Sequence, residues 1–177
     1  MNAAVHAWFD DSLNQTIREL EHEILLHSSG GQRGCGLRPH ITLTATLDLD
    51  VQAFTDALGA CPIISAPIPV EFDSFGSFPK PVSAVFLNPV PTEALLDLHR
   101  SVSQILEDLG STPANAHYLR DRWTPHCALA SAITPKDFSG VLTGLLGVRR
   151  PLTGQITHIG VVELPQDLEI MNLPLGT

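Results

Sequence analysis

Pro39-His40-Ile41-Thr42-Leu43 and Pro125-His126-Cys127-Ala128-Leu129 nearly repeat each other in the two halves of the chain. Each is a proline, a histidine and an apolar run with strand-like alternation. Alternate side chains of a strand share a face. His40 and Thr42 therefore share one face of the first strand, and His126 and Ala128 the matching face of the second. Imidazole has an ordinary pKa of about 6.5 and both takes and gives a proton near neutrality. Two imidazoles on matching strands read as an acid and base pair.

Working outward, Ala4 to Phe9 reads as a strand. Leu13, Ile17, Leu20 and Ile24 recur at helical spacing, which predicts a helix from Ser12 to His27, with Ser12 and Gln15 as a capping box. The glycine-rich stretch Ser28 to Gly36 ends it. The strand His40 to Leu47 is followed by a helix capped by Asp50. Ile68 to Phe75 and Ser83 to Leu87 read as a hairpin around Gly76-Ser77-Phe78-Pro79-Lys80-Pro81. A long amphipathic helix follows Thr92. The strand His126 to Ile133 leads to Thr134-Pro135, a cap with proline in the first turn of a helix. Gln155 to Leu164 is a last major strand, and Leu168 to Leu173 a short returning one. Both histidine strands run directly into a capped helix, which points to an internal duplication.

The 177 residues are 44% hydrophobic and 16% charged, which suits one domain with a real core. The formal net charge of −9 argues against long duplex nucleic acid, because backbone neutralisation needs clustered Lys and Arg. A small nucleotide or an RNA end remains compatible with it. No apolar run reaches membrane-spanning length, so no membrane partner is expected. Cys35, Cys61 and Cys127 lack Cys-x-x-Cys spacing, and an odd count without a secretion signal points to thiols in a reducing cytoplasm.

The duplicated Pro-His-x-Thr-apolar pattern resembles the two-histidine phosphoesterase superfamily, in its bacterial 2′-5′ RNA ligase-like and cyclic phosphodiesterase branch. His40-Ile41-Thr42-Leu43 matches the first motif, and Trp123-Thr124-Pro125-His126-Cys127-Ala128-Leu129 looks like the second. The resemblance covers most of the chain. It implies an α+β fold of two similar lobes, with two antiparallel sheets facing across a central cleft and helices outside. It also implies a metal-independent phosphodiesterase with no cofactor, acting on a 2′,3′-cyclic or 2′-5′-linked nucleotide or RNA end. His40 and His126 would be its general acid and base. Two alternatives stay open: a nucleotide-binding module of the same fold, or a hydrolase of another cyclic oligonucleotide.

Ala128 departs from the family, which carries Thr or Ser there to bind phosphate. Thr42 keeps that hydroxyl. Thr124, two residues before His126, is expected on the same strand face as a partial substitute. Arg38, two residues before His40, and Arg122, with Arg120 nearby, are candidate phosphate contacts. Tyr118, Trp123 and Phe78 are candidates for stacking a base. His22 and His27 are five residues apart, not the four that put two zinc ligands on one helix face. Cys127 alternates away from His126 and reads as a buried thiol. His6, His99, His117 and His158 show no partner pattern.

Overall fold

A computed structural model describes residues 1–28, 32–33, 37–78, 83–147 and 151–176. In chain order its elements are β1 (Ala3–Phe9), α1 (Asp11–Leu25), β2 (Gln32–Arg33), β3 (His40–Thr46), α2 (Val51–Gly59), β4 (Ile68–Phe78), β5 (Ser83–Pro89), α3 (Glu93–Asp108), β6 (Cys127–Ile133), α4 (Pro135–Leu146), β7 (Leu152–Glu163) and β8 (Leu168–Pro174). The expected α+β class holds. Among the described residues no helix is long and apolar enough to cross a membrane.

The strands form one continuous antiparallel sheet in the order β2-β6-β5-β4-β7-β1-β3, with β8 added beside β7. This corrects the expectation of two separate sheets. The join is made by β4 and β7, which pair from Ile68↔Ile156 to Phe72↔Leu152. The twelve-residue β7 is long enough to pair β4 with its first half and β8 with its second, while β1 lies along its other edge. Although β3 closes one end of the strand order and β6 lies next to the other, the two come into contact. The sheet is therefore curled, and the curl brings the histidine strands together.

The duplication is legible in the register. On β1 the pairing with β3 skips a residue between Val5↔Thr44 and His6↔Thr42. On β5 the pairing with β6 skips one between Val85↔Ala130 and Phe86↔Ala128. The same bulge thus stands at the same place in both halves, with Thr42 matching Ala128 and His6 matching Phe86. The halves are interlocked. β4 of the first half joins β5 and β6, and β7 of the second joins β1 and β3. Helices follow the same exchange: α1 packs on α4, β6 and β7, and α3 on α2, β3 and β4.

Local chemistry sets the elements. Leu13, Ile17, Leu20 and Ile24 are the buried stripe of α1. The cap of α1 is Asp10 rather than Ser12: its Oδ1 accepts from Leu13 N at 2.9 Å while Oδ2 accepts from Gln155 N at 2.6 Å. A carboxylate that serves both the helix end and β7 outcompetes the neighbouring hydroxyl. Asp50 and Thr134 cap α2 and α4 as the sequence implied, and Thr92, after which a helix was expected, caps α3. Gly76 lies inside β4 opposite Phe86 instead of in a turn, because the Phe86 ring occupies the space a Cβ would need, 2.6 Å away. The expected turn residues 79–82, and most of the glycine-rich stretch, lie outside the described residues; Gln32 and Arg33 edge β6.

In the other lobe the Trp8 ring lies across Gly160, where a Cβ would meet it at 1.8 Å. Gly160→Ala should lower stability by about 1–3 kcal/mol through overpacking. A urea titration with Trp fluorescence should show an earlier midpoint; an unchanged one would mean that the ring has free room to move.

Candidate active site

His40 opens β3, and His126 immediately precedes β6. Each donates from Nδ1 to the backbone carbonyl two residues before it: His40 to Arg38 O and His126 to Thr124 O, both at 2.8 Å. A carbonyl only accepts, so each Nδ1 carries a proton and Nε2 is the nitrogen that exchanges one. The prolines between set this up. Pro39 and Pro125 have no N–H to extend a ladder, both lie ahead of their strands, and the carbonyl before each reaches the ring. That also corrects the placement of Thr124. Like His126 it lies ahead of β6 rather than on it; it is exposed, and both line one pocket.

The two imidazoles are close enough for their charges to interact. Burial pushes His40 below the ordinary histidine range; the Arg38 carbonyl opposes this, the charge of His126 lowers it, Asp167 raises it and Arg18 lowers it. Burial likewise lowers His126, against the Thr124 carbonyl. Both rings therefore favour the neutral form, and protonating one disfavours protonating the other.

Their surroundings differ. The His40 ring stacks on His6, with centroids 3.8 Å apart and planes 17° apart. Thr42 lies opposite His6 on the neighbouring strand and is half-buried. Arg38 sets its guanidinium 3.5 Å over Trp8 and pairs with Glu169 at 3.1 Å, so its charge is already engaged. His126 instead meets two phenyl rings, Phe78 edge-on and Phe86 tilted, each at 5.1 Å. Ala128, opposite Phe86, brings no hydroxyl to that side.

Beside His126 opens a pocket of about 280 Å³, lined by Phe78, Asn115, His117, Tyr118, Arg122, Trp123 and Thr124. Trp123 anchors it. Its indole N–H donates to Thr42 O at 3.0 Å, which ties the second motif to the first histidine strand. Its ring stacks on buried His99 of α3 at 4.0 Å. Arg120 and Arg122, alike in the sequence, part here: Arg120 bonds Gln104 and Glu107 on α3, while Arg122 lines the pocket. Cys127 is buried, as its alternation implied. Among the described residues no three His, Cys, Asp or Glu side chains gather as metal ligands.

A model of the 2′-5′ RNA ligase superfamily matches residues 9–167. The chain belongs to that superfamily. Solved structures agree at the level of the fold. TT0787 of Thermus thermophilus is 16% identical with a TM-score of 0.67, over 99% of this chain and 98% of that one. E. coli LigT complexed with 3′-AMP is 10% identical with a TM-score of 0.65, over the same shares. Kluyveromyces marxianus Usb1 with uridine monophosphate is 10% identical with a TM-score of 0.55, over 98% of each chain. A comparison with curated protein sequences finds no match. Membership supports a phosphodiesterase-type activity.

Four residues at the site carried no signal in the sequence. His6 and Trp8 lie on β1, outside either motif, and only the register brings them under His40 and Arg38. Arg18 acts on His40 from α1, and His99 reaches Trp123 from α3.

Burial lowers His99 to about 4. The unfolded chain therefore binds a proton below about pH 6.5 that the folded protein refuses, and stability drops as pH falls from about 6.5 towards about 4. His99→Phe, which keeps a ring on Trp123, should flatten part of that decline. Urea midpoints between pH 7 and pH 4 should converge for the two proteins at neutrality and separate in acid; parallel curves would exclude His99 as a source.

Proposed function

We propose that this protein is a metal-independent phosphodiesterase that opens a 2′,3′-cyclic or 2′-5′-linked phosphodiester of a nucleotide or RNA end. The observation that carries the reading is the matched pair of imidazoles, each with Nδ1 tied to a carbonyl and Nε2 as the nitrogen that exchanges a proton. One histidine, neutral, takes a proton from water as the water oxygen attacks phosphorus. The other, protonated, gives its proton to the departing ribose oxygen as the P–O bond breaks. The mutual repulsion of two imidazoliums supports such a singly protonated pair.

In this reading Thr42 donates its hydroxyl to a phosphate oxygen, and Thr124 and Arg122 serve the side where Ala128 has nothing to donate. The nucleobase rests against Tyr118 and Trp123, whose faces accept any base by stacking. The place of work is the cytoplasm, and the partner is a small substrate rather than duplex nucleic acid.

His40→Ala and His126→Ala should each reduce hydrolysis of a 2′,3′-cyclic nucleotide by about 10²–10⁴-fold while circular dichroism stays unchanged. EDTA should leave the rate intact; inhibition reversed by a divalent cation would point to a metal enzyme. A panel of 2′,3′-cyclic, 3′,5′-cyclic and 2′-5′-linked substrates identifies the preferred bond. Nucleotide binding without turnover of any of them would make the protein a binding module.

Thr42→Ala should weaken phosphate binding by about 1.5–3 kcal/mol, the value of a hydrogen bond to a charged group. Ala128→Thr should be tolerated and should raise kcat/KM by adding a second donor. Unchanged affinity and kinetics in Thr42→Ala would remove the phosphate from the place assigned to it.

A further inference from the structure

His6 is a buried, titratable side chain, 4% exposed, that the two-histidine scheme does not use. Its Nδ1 has no hydrogen-bond partner among the described residues. A lone buried imidazole is an unfavourable residue for a strand interior. The twin position in the other lobe shows what a plain structural residue there looks like: it is Phe86, set on the same bulge. Phe86 only tilts towards its histidine, at 56° and 5.1 Å. His6 lies nearly flat against His40, at 17° and 3.8 Å. A bulge re-aims the side chain it carries, and on β1 it aims an imidazole at the face of His40.

We propose that His6 is a positioning residue for His40, its ring fixing the plane in which Nε2 exchanges a proton. The Arg38 carbonyl fixes the ring at its edge and His6 fixes it at its face, so His40 is held in two directions. Burial keeps His6 well below the ordinary histidine range, and the charge of His40 lowers it further, so His6 stays neutral while His40 titrates. Among the described residues, charged groups acting on His40 include His126, Asp167 of the β7–β8 turn, and Arg18 of α1. Among the described residues the rings that meet His126 stand farther off, at 5.1 Å and edge-on or tilted, so on this proposal His126 is the less firmly held of the pair.

The proposal rests on the two-histidine reading of the site, and the test separates the two. In the unaltered protein, NMR relaxation of the imidazole Cε1–H groups should show His40 more ordered than His126. His6→Ala should release the His40 ring and reduce kcat on a 2′,3′-cyclic nucleotide by about 10–10²-fold, with KM nearly unchanged. His6→Phe, which fills the space but in the twin lobe only tilts towards its histidine, should keep the fold yet restore neither the ring order nor the full kcat. His6→Asn, polar but without an aromatic face, should restore neither. Equal mobility of His40 and His126 in the unaltered protein would overturn the proposal, as would full kcat in His6→Ala or in His6→Phe. If His40 is ordered and loosens in His6→Ala, yet no cyclic nucleotide is hydrolysed by any form, the substrate assignment fails and the positioning role stands.

Discussion

The pairing of β4 with β7 is the constraint on which the molecule depends. Five residues of each strand, Ile68 to Phe72 and Leu152 to Ile156, join what would otherwise be two small sheets. With that seam closed the sheet curls, and β3 meets β6 although they lie far apart in strand order. The indole of Trp123 then locks the approach by bonding the Thr42 carbonyl. The convergence of His40 and His126 is a property of the whole sheet, not of either motif.

What the sequence disclosed and what it concealed divide along a physical line. The four helices were visible because burial imposes a 3.6-residue period and because Asp50 and Thr134 are unmistakable caps. The Ser12 cap failed because Asp10 has a second partner on β7, a contact that no local pattern encodes. His40 and His126 were visible because the chain says the same thing twice. Thr124 falls outside the strand because β6 begins only at Cys127, later than the alternation implied. His6 was silent because its meaning lies in a cross-strand register. The join between the lobes was equally silent, since an exposed strand edge and a paired one have the same alternation.

The two lobes share a backbone and differ in what they lay upon it. One side offers Thr42 and His6; the other offers Ala128 and Phe86 at the same register positions. At these two register positions the polar side chains thus stand on the His40 side. Around His126 stand two phenyl rings, and the pocket that opens there mixes aromatic and polar side chains.

The exchange of third strands has an implication for history. If each half kept its own third strand, β4 would close the lobe of β1 and β3, and β7 the lobe of β5 and β6. Instead each half completes the other. A solitary ancestral half would have had an unfilled strand position and a spare strand to offer. Two copies of it would satisfy each other as a swapped homodimer with one histidine apiece. Fusion of the two genes would preserve that handshake inside one chain and free each copy to change alone.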